Sequence, residues 1–554
     1  MVNRGRSGGC VTCKQRRVKC DEAKPECQAC QRLKLRCGGY NRHQNTKLKF
    51  KDQNHKFCTN TKQDVVKVAT SSPGRSPESN VQDREVVRAL TLRRLSEPDT
   101  AVQFYLGHYA SMGRDMGSTR GFFEMLIPAY FSEREDSALS LAVSALASET
   151  LSMWRQDATS FRSPRKSYSR ALTRLQTAIQ DPIERGKPAT VLAVLALQTY
   201  ENASAVYGLR RVSSTHHNGA ASLLSFMGSD DMGGVVRAYL RRFMLHTEVS
   251  TAIRQKKPLK RIAYSWIRSK ETMAVPENPS AALDAIGASV AELQASYTEF
   301  LTQGGSATSL KCVPKEWMAA AKRVDAELLA WAENVPDHWR PVYPSCQIAS
   351  IWNLWRFQRL LLAKITLGSL NAFSDLSRFG LAYGQFVGDP TDFVNCQQTL
   401  QEVVDSVCHS IPFHLGNRIS RSSLADFTDP TVLLPSYNAL VDGTPLDREV
   451  FDGISRDDHR RHVIAQGPWR AMHPLSRLLA LFSEDHGEVI ASLLRPGQRE
   501  WICNQFLRVA TLLHLPLESG NGMESSESPG GSADAKAEYL AREIRKGAIL
   551  MSGP

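Results

Sequence analysis

Six cysteines near the N-terminus constrain this chain more than any other feature. Cys10, Cys13, Cys20, Cys27, Cys30 and Cys37 follow the spacing C-x2-C-x6-C-x6-C-x2-C-x6-C. The segment repeats itself with a 17-residue shift, CVTCKQRRVKC and then CQACQRLKLRC. A C-x2-C pair lets two thiolates converge on one metal, and six further residues bring back a third. A closed structural zinc site takes four ligands in a tetrahedron, so two separate ions would need eight thiolates. Six serve two ions only if two of them bridge. The competing readings are one ion with two spare cysteines, or a metal-storage tract.

Metal also explains how so short a segment folds. Between Cys10 and Cys37 the apolar inventory is little more than Val11, Val18, Leu33 and Leu35. Such a core cannot offset chain entropy below ~40 residues, whereas structural zinc contributes roughly 10–16 kcal/mol of coupled binding and folding free energy. The other cysteines, Cys58, Cys312, Cys346, Cys396, Cys408 and Cys503, lack ligand spacing and read as ordinary or core residues.

The net charge of +13 is concentrated in the same place. Residues 1–60 hold 15 Lys/Arg against 4 Asp/Glu, a balance of +11, which leaves +2 for everything after. A basic head on a nearly neutral body is the electrostatic footprint of a nucleic-acid-binding tip, although a solvated basic tail would look the same on charge alone. Six thiolates and two zinc ions still leave the head with about +9.

With every cysteine spacing matching, the head resembles the fungal zinc binuclear cluster transcription factors, and Pro25 matches the loop proline of that family. The resemblance implies two zinc ions per chain. It makes Cys10 and Cys27 the bridging ligands, one ion taking Cys10, Cys13, Cys20 and Cys27 and the other Cys10, Cys27, Cys30 and Cys37. The stretch from Lys14 through Arg16 and Arg17 to Lys19 is expected to be a short helix whose end meets DNA. The family reads a CGG-type triplet with the basic pair that aligns with Arg16 and Arg17; lysine is common there, so the base preference can differ in detail. An arginine fork donates two hydrogen bonds to guanine O6 and N7. Lys14, Lys19 and Arg36 are expected on phosphates, which position without specifying, as are Arg32 and Lys34. The implied partners are double-stranded DNA and transcription machinery or co-regulators, and the implied location is the nucleus.

The rest of the chain reads as a helical body joined by a linker. Residues 1–57 are the cluster with a basic extension, and residues 58–97 are a Ser/Thr/Asn/Gln-rich flexible linker with one short helix near 84–95. That helix lacks sustained heptads, so the sequence leaves monomer and homodimer both open. Residues 98–515 form a large all-helical region, residues 516–534 a flexible loop, and residues 535–554 a closing helix carrying Leu540, Ala541 and Ile544 on one face. The fold expected is thus a small metal-stapled two-helix zinc cluster followed by a large all-α regulatory domain. Fragments such as Phe104-Tyr105-Leu106-x-x-Tyr109, Gly121-Phe122-Phe123 and His216-x-x-Gly219-Ala220 resemble the regulatory region that accompanies such clusters in filamentous fungi.

No catalytic constellation is legible: there is no H-E-x-x-H, G-x-S-x-G, Walker loop or G-x-G-x-x-G. His216 and His217 are adjacent and face different sides of a helix, so a capping or surface role is expected. Trp352 and Trp355 read as core. The apolar run Val191–Leu197 is far short of the ~20 residues a membrane span needs, and no signal-peptide pattern opens the sequence. The expected function is a non-enzymatic DNA-binding transcription regulator, and the resemblance extends the expectation to control of a fungal metabolic pathway. The alternatives are a helical enzyme of specialised metabolism, or a partner-binding protein, carrying the zinc head.

Overall fold

The computed structural model describes residues 10–21, 23–38, 100–110, 116–118, 120–155, 162–208, 213–227, 231–267, 275, 278–302, 313–339, 343–378, 390–415, 456–483, 487–515, 537–542 and 544. Contacts divide the chain into two units, residues 1–77 and 78–554. The basic extension, the linker with its 84–95 helix, the loop at 516–534, Cys58 and Cys312 lie outside the described residues.

The described residues of the first unit hold two five-residue helices, α1 (Val11–Gln15) and α2 (Gln28–Arg32). The second holds α3 (Thr100–Tyr105), α4 (Phe122–Ser132), α5 (Ala138–Arg155), α6 (Arg162–Gln180), α7 (Pro188–Tyr207), α8 (Thr215–Leu223) and α9 (Asp231–Gln255). After these come α10 (Arg261–Ile267), α11 (Pro279–Thr302), α12 (Val313–Asn334), α13 (Cys346–Arg378), α14 (Pro390–His414), α15 (Arg456–Phe482), α16 (Gly487–Ser492) and α17 (Gln498–Leu512). None of the described residues is in a strand.

Local chemistry accounts for several helix starts. Pro188 occupies the first turn of α7, where its missing N–H costs nothing. The short turn Pro182–Arg185 before it is capped by Asp181, whose carboxylate accepts from the Ile183 and Glu184 N–H groups at 2.7 and 3.2 Å. In α7 every residue from Val191 to Leu197 is buried, so this helix is enclosed on all sides, with α5 packed along it. Further on, α13 packs against α12 and α14, α9 against α11, and α15 against α13, α14 and α17. One continuous apolar cluster runs through the second unit and takes in Ala537, Leu540, Ala541 and Ile544 from the C-terminal segment.

Trp352 and Trp355 are fully packed in that core, their indole N–H groups donating to the carbonyls of Trp339 (3.1 Å) and Leu328 (2.7 Å). Cys346, Cys396, Cys408 and Cys503 are buried there as well. The expectation for His216 and His217 needs correction. Their neighbouring positions at the start of α8 aim at two different helices, and each meets a carboxylate. His216 Nε2 lies 3.2 Å from Glu201, and the buried His217 Nε2 lies 2.6 Å from Glu248, which also binds Lys260 at 2.8 Å. They are interior anchors, not caps or surface residues.

Candidate metal centre

Among the described residues of the first unit there is no apolar core apart from the cysteines. Val18, Leu33 and Leu35 are 44%, 54% and 40% exposed, so three of the four apolar residues between the terminal cysteines face solvent. Its buried cluster is Cys10, Cys13, Cys27 and Cys30, with Cys20 and Cys37 half-buried against it.

The 17-residue repeat in sequence is a repeat in structure. Val11–Gln15 and Gln28–Arg32 begin directly after Cys10 and Cys27, and the i, i+3 spacing turns Cys13 and Cys30 back to the same side. Both helices stop in the same way: Arg17 (φ +54°) and Lys34 (φ +50°) are left-handed, and the next N–H reaches back into the helix. Val18 N donates to the Cys13 carbonyl at 3.1 Å and Leu35 N to the Cys30 carbonyl at 3.0 Å, while Lys34 N donates to Gln31 O at 3.0 Å. This is the six-to-one closure of a Schellman ending. The expected helix over Lys14–Lys19 is therefore displaced. The helix takes in only Lys14 and Gln15 of that stretch, and Arg16 and Arg17 sit on the turn at its C-terminal end.

The thiols converge as two overlapping tetrads. Cys10, Cys13, Cys20 and Cys27 form one, and Cys10, Cys27, Cys30 and Cys37 the other, with all sulfurs of each within 4.8 Å of one another. Cys10 and Cys27 belong to both. Within the tetrads the Sγ–Sγ separations are 3.5 Å for Cys10–Cys27 and 3.7 Å for Cys10–Cys30 and Cys13–Cys27; Cys13 and Cys30, one from each tetrad, lie 3.9 Å apart. A tetrahedron with zinc–sulfur bonds of ~2.3 Å has edges of about 3.8 Å, so the donor set fits that ion. Burial, reinforced by the Cys10 thiol beside it, pushes the Cys13 thiol up to about 12, and burial likewise raises Cys27 far above the ordinary thiol range. A cation is what would allow these crowded thiols to ionise. No other group of His, Cys, Asp or Glu among the described residues has metal-ligand spacing.

Two residues that the spacing did not single out hold the frame. Asp21 accepts from the Gln28 and Ala29 N–H groups at 3.1 and 3.2 Å, supplying the N-terminus of α2 with the acceptor its N-cap Cys27 does not provide. Those N–H groups hold the Asp21 carboxyl below its usual range. Thr12 Oγ1 donates to the Arg36 carbonyl (3.1 Å) and accepts from Gly38 N (2.8 Å), tying the end of the segment to α1. Neither carries a sequence signal, because Asp21 lies six residues before the N-cap and Thr12 faces Ala29 in the repeat. The peptide bond between Lys24 and Pro25 in the connecting loop is cis.

Arg16, Arg17, Lys19 and Arg36 are exposed. Lys14 belongs to α1, but its side chain lies outside the described residues. An exposed cationic turn beside a paired-metal core can grip a polyanion, and its arginines have the fork geometry for guanine edges.

Comparison with known proteins agrees with this geometry. Residues 8–47 match the fungal Zn(2)-Cys(6) binuclear cluster domain, a domain that binds two zinc ions through six cysteines. The segment is similar to the pestheic acid cluster transcriptional regulator 3 of Pestalotiopsis fici, 64% identical over 33 residues, which is 6% of each chain. It is also similar to the white-opaque regulator 2 of Candida albicans, 50% identical over 40 residues (7% of this chain, 9% of the relative). The aspercryptin biosynthesis cluster-specific transcription regulator of Emericella nidulans is 57% identical over 37 residues, again 6% of each chain. The likeness thus spans less than a tenth of each relative's length and is confined to the head. No solved structure matches the chain. Among the described residues, no helix is long and apolar enough to cross a membrane.

Proposed function

We propose that this chain is a nuclear, sequence-specific DNA-binding transcription regulator that reads a CGG-like triplet through a binuclear zinc cluster. The observation that carries the reading is the pair of cysteine tetrads sharing Cys10 and Cys27, with an exposed arginine turn at the end of α1. In this reading Cys10 and Cys27 bridge two zinc ions, and each other cysteine serves one. Zinc supplies the fold of the head, not a reaction, and the chain is not an enzyme.

Arg16 and Arg17 meet guanine edges in the major groove, while Lys14, Lys19 and Arg36 take phosphates. The helical region over 98–515, with its C-terminal helix over 535–554, is the regulatory part, joined to the head through the segment over 58–97. Its partners are co-regulators or the transcription machinery, with monomer and homodimer both compatible with this reading. Two of the similar proteins are named as transcription regulators of a pestheic acid cluster and of an aspercryptin biosynthesis cluster, which supports control of a metabolic pathway here.

The test is selection of full-length, zinc-loaded protein on a random-sequence duplex pool. Enrichment of one motif containing a CGG-like triplet, abolished by a chelator, is the expected result. A pool that stays random, or enrichment that survives zinc removal, refutes the reading.

A further inference from the structure

The helical unit contains a cleft that its packing does not explain. About 530 Å³ of space free of protein atoms lies in and at the mouth of it, part of it open solvent. Three helices each turn one face toward it. From α13 come Gln347, Ser350, Ile351 and Leu354, and from α15 Arg470, His473, Pro474 and Arg477, both sets at i, i+3, i+4 and i+7. Asn353 of α13, His246 and Ser250 of α9, and Arg120 from the segment before α4 complete the wall.

The chemistry of this lining is one-sided. It presents three arginines and two histidines and no carboxylate. Arg120, Arg470 and Arg477 are 2%, 7% and 8% exposed, so three guanidinium groups border a largely dehydrated space. Asp284, just behind the wall, orders two of these residues, accepting from Arg120 Nε at 2.9 Å and lying 2.7 Å from His246 Nδ1. Burial draws the Asp284 carboxyl upward, but Arg120 and His246 outweigh it and hold it below its ordinary value, while burial and Arg120 lower His246. An ionised carboxylate only accepts, so Nδ1 of His246 donates to it. Gln347 supplies an acceptor. Its Nε2 donates to the Ser118 carbonyl at 3.3 Å, which leaves Oε1, in a side chain only 1% exposed, without a partner. A buried acceptor left unsatisfied costs free energy that a ligand donor would recover.

We propose that this cleft binds a small organic anion, a carboxylate or phosphate ester that also carries a hydroxyl. The anionic group faces Arg470 and Arg477, the hydroxyl donates to Gln347 Oε1, and an apolar body lies against Ile351, Leu354 and Pro474. The site belongs wholly to the helical unit and does not depend on the DNA-binding reading; if that reading holds, the anion is an effector of the regulator.

The experiment is thermal unfolding of the full-length, zinc-loaded chain followed by tryptophan fluorescence. All nine tryptophans lie after residue 98, so the signal reports the helical unit alone. The probes are mandelate, 2-hydroxy-2-phenylethyl phosphate, phenylacetate (no hydroxyl) and uncharged mandelamide. Mandelate or the hydroxyalkyl phosphate should raise the unfolding temperature saturably, and the better of the two decides between a carboxylate and a phosphate source. Phenylacetate should bind more weakly than mandelate, and mandelamide should have no effect. Arg470→Gln should weaken binding about tenfold or more. Should that variant not fold, Ser350→Leu fills the cleft without removing charge; the Ser350 hydroxyl only donates back to the Cys346 carbonyl. It should abolish the shift. No saturable shift with either anion, an equal shift with mandelamide, or an undiminished shift in Ser350→Leu overturns the proposal.

Discussion

The Sγ atoms of Cys10 and Cys27 stand 3.5 Å apart, and they are the two sulfurs common to both tetrads. Their 17-residue separation equals the repeat, so each begins one half of the head. If they bridge, the two zinc ions are not independent. Cys10→Ser or Cys27→Ser should reduce the zinc content of the full-length chain from two ions to none. Cys13→Ser or Cys37→Ser removes a ligand from one ion only and should leave at least one bound. Native mass spectrometry counts the ions, and a single ion in the unaltered chain would end the bridging assignment.

Gly121 is fixed by its backbone. It has φ +113°, and a Cβ there would lie 2.4 Å from the Tyr239 carbonyl oxygen. Gly121→Ala should therefore destabilise the helical unit by about 2–4 kcal/mol, from strain and the displacement of α9. Gly107→Ala, where a Cβ meets nothing within 4 Å, should stay within about 0.5 kcal/mol of the unaltered protein. Denaturant unfolding read by tryptophan fluorescence separates them, and equal effects would refute the close approach.

His409 makes the helical unit sensitive to acid. Burial holds its imidazole down at about 4, against Asp405, which pulls it up. The folded state therefore keeps it neutral, while the unfolded chain takes a proton near ~6.5. Its stabilising contribution is whole above about pH 6.5 and falls by about 3 kcal/mol as the pH drops toward 4. Denaturant unfolding at about pH 7 and about pH 5 should show the loss, and His409→Gln should flatten the slope. An unchanged slope in that variant would show that the proton is taken up elsewhere.

The head was far more legible than the body, for a physical reason. Cysteine spacing is a local code: the i, i+3 pairs and the 17-residue shift specify which sulfurs can meet. What the code left out was the helix ending. Nothing in KQRRVK marks Arg17 as left-handed, since that conformation usually advertises itself with glycine or asparagine, and so the sequence alone sets the helix three residues later than it lies. In the body, periodicity and the proline of α7 located helices but not their neighbours. His216 and His217 read as peripheral because their partners, Glu201 and Glu248, lie 15 and 31 residues away in sequence on other helices. The basic cleft was hidden for the same reason. Gln347–Leu354 and Arg470–Arg477 are each visible as one helix face, but only tertiary packing sets those faces opposite each other.

The claim that the arginine turn reads bases is tested most directly by affinity on a selected duplex and its scrambled counterpart across a salt series. Arg16→Ala and Arg17→Gly are the informative variants. Glycine at position 17 relieves the left-handed backbone, worth about 1 kcal/mol, so lost affinity there cannot come from a destabilised head. Both should lose ~1–3 kcal/mol on the selected duplex and much less on the scrambled one. Lys19→Ala and Arg36→Ala should weaken both duplexes alike and lower the salt slope by about one unit per lost phosphate contact. Equal losses on the two duplexes for Arg16→Ala and Arg17→Gly would contradict the account and leave the turn a phosphate clamp.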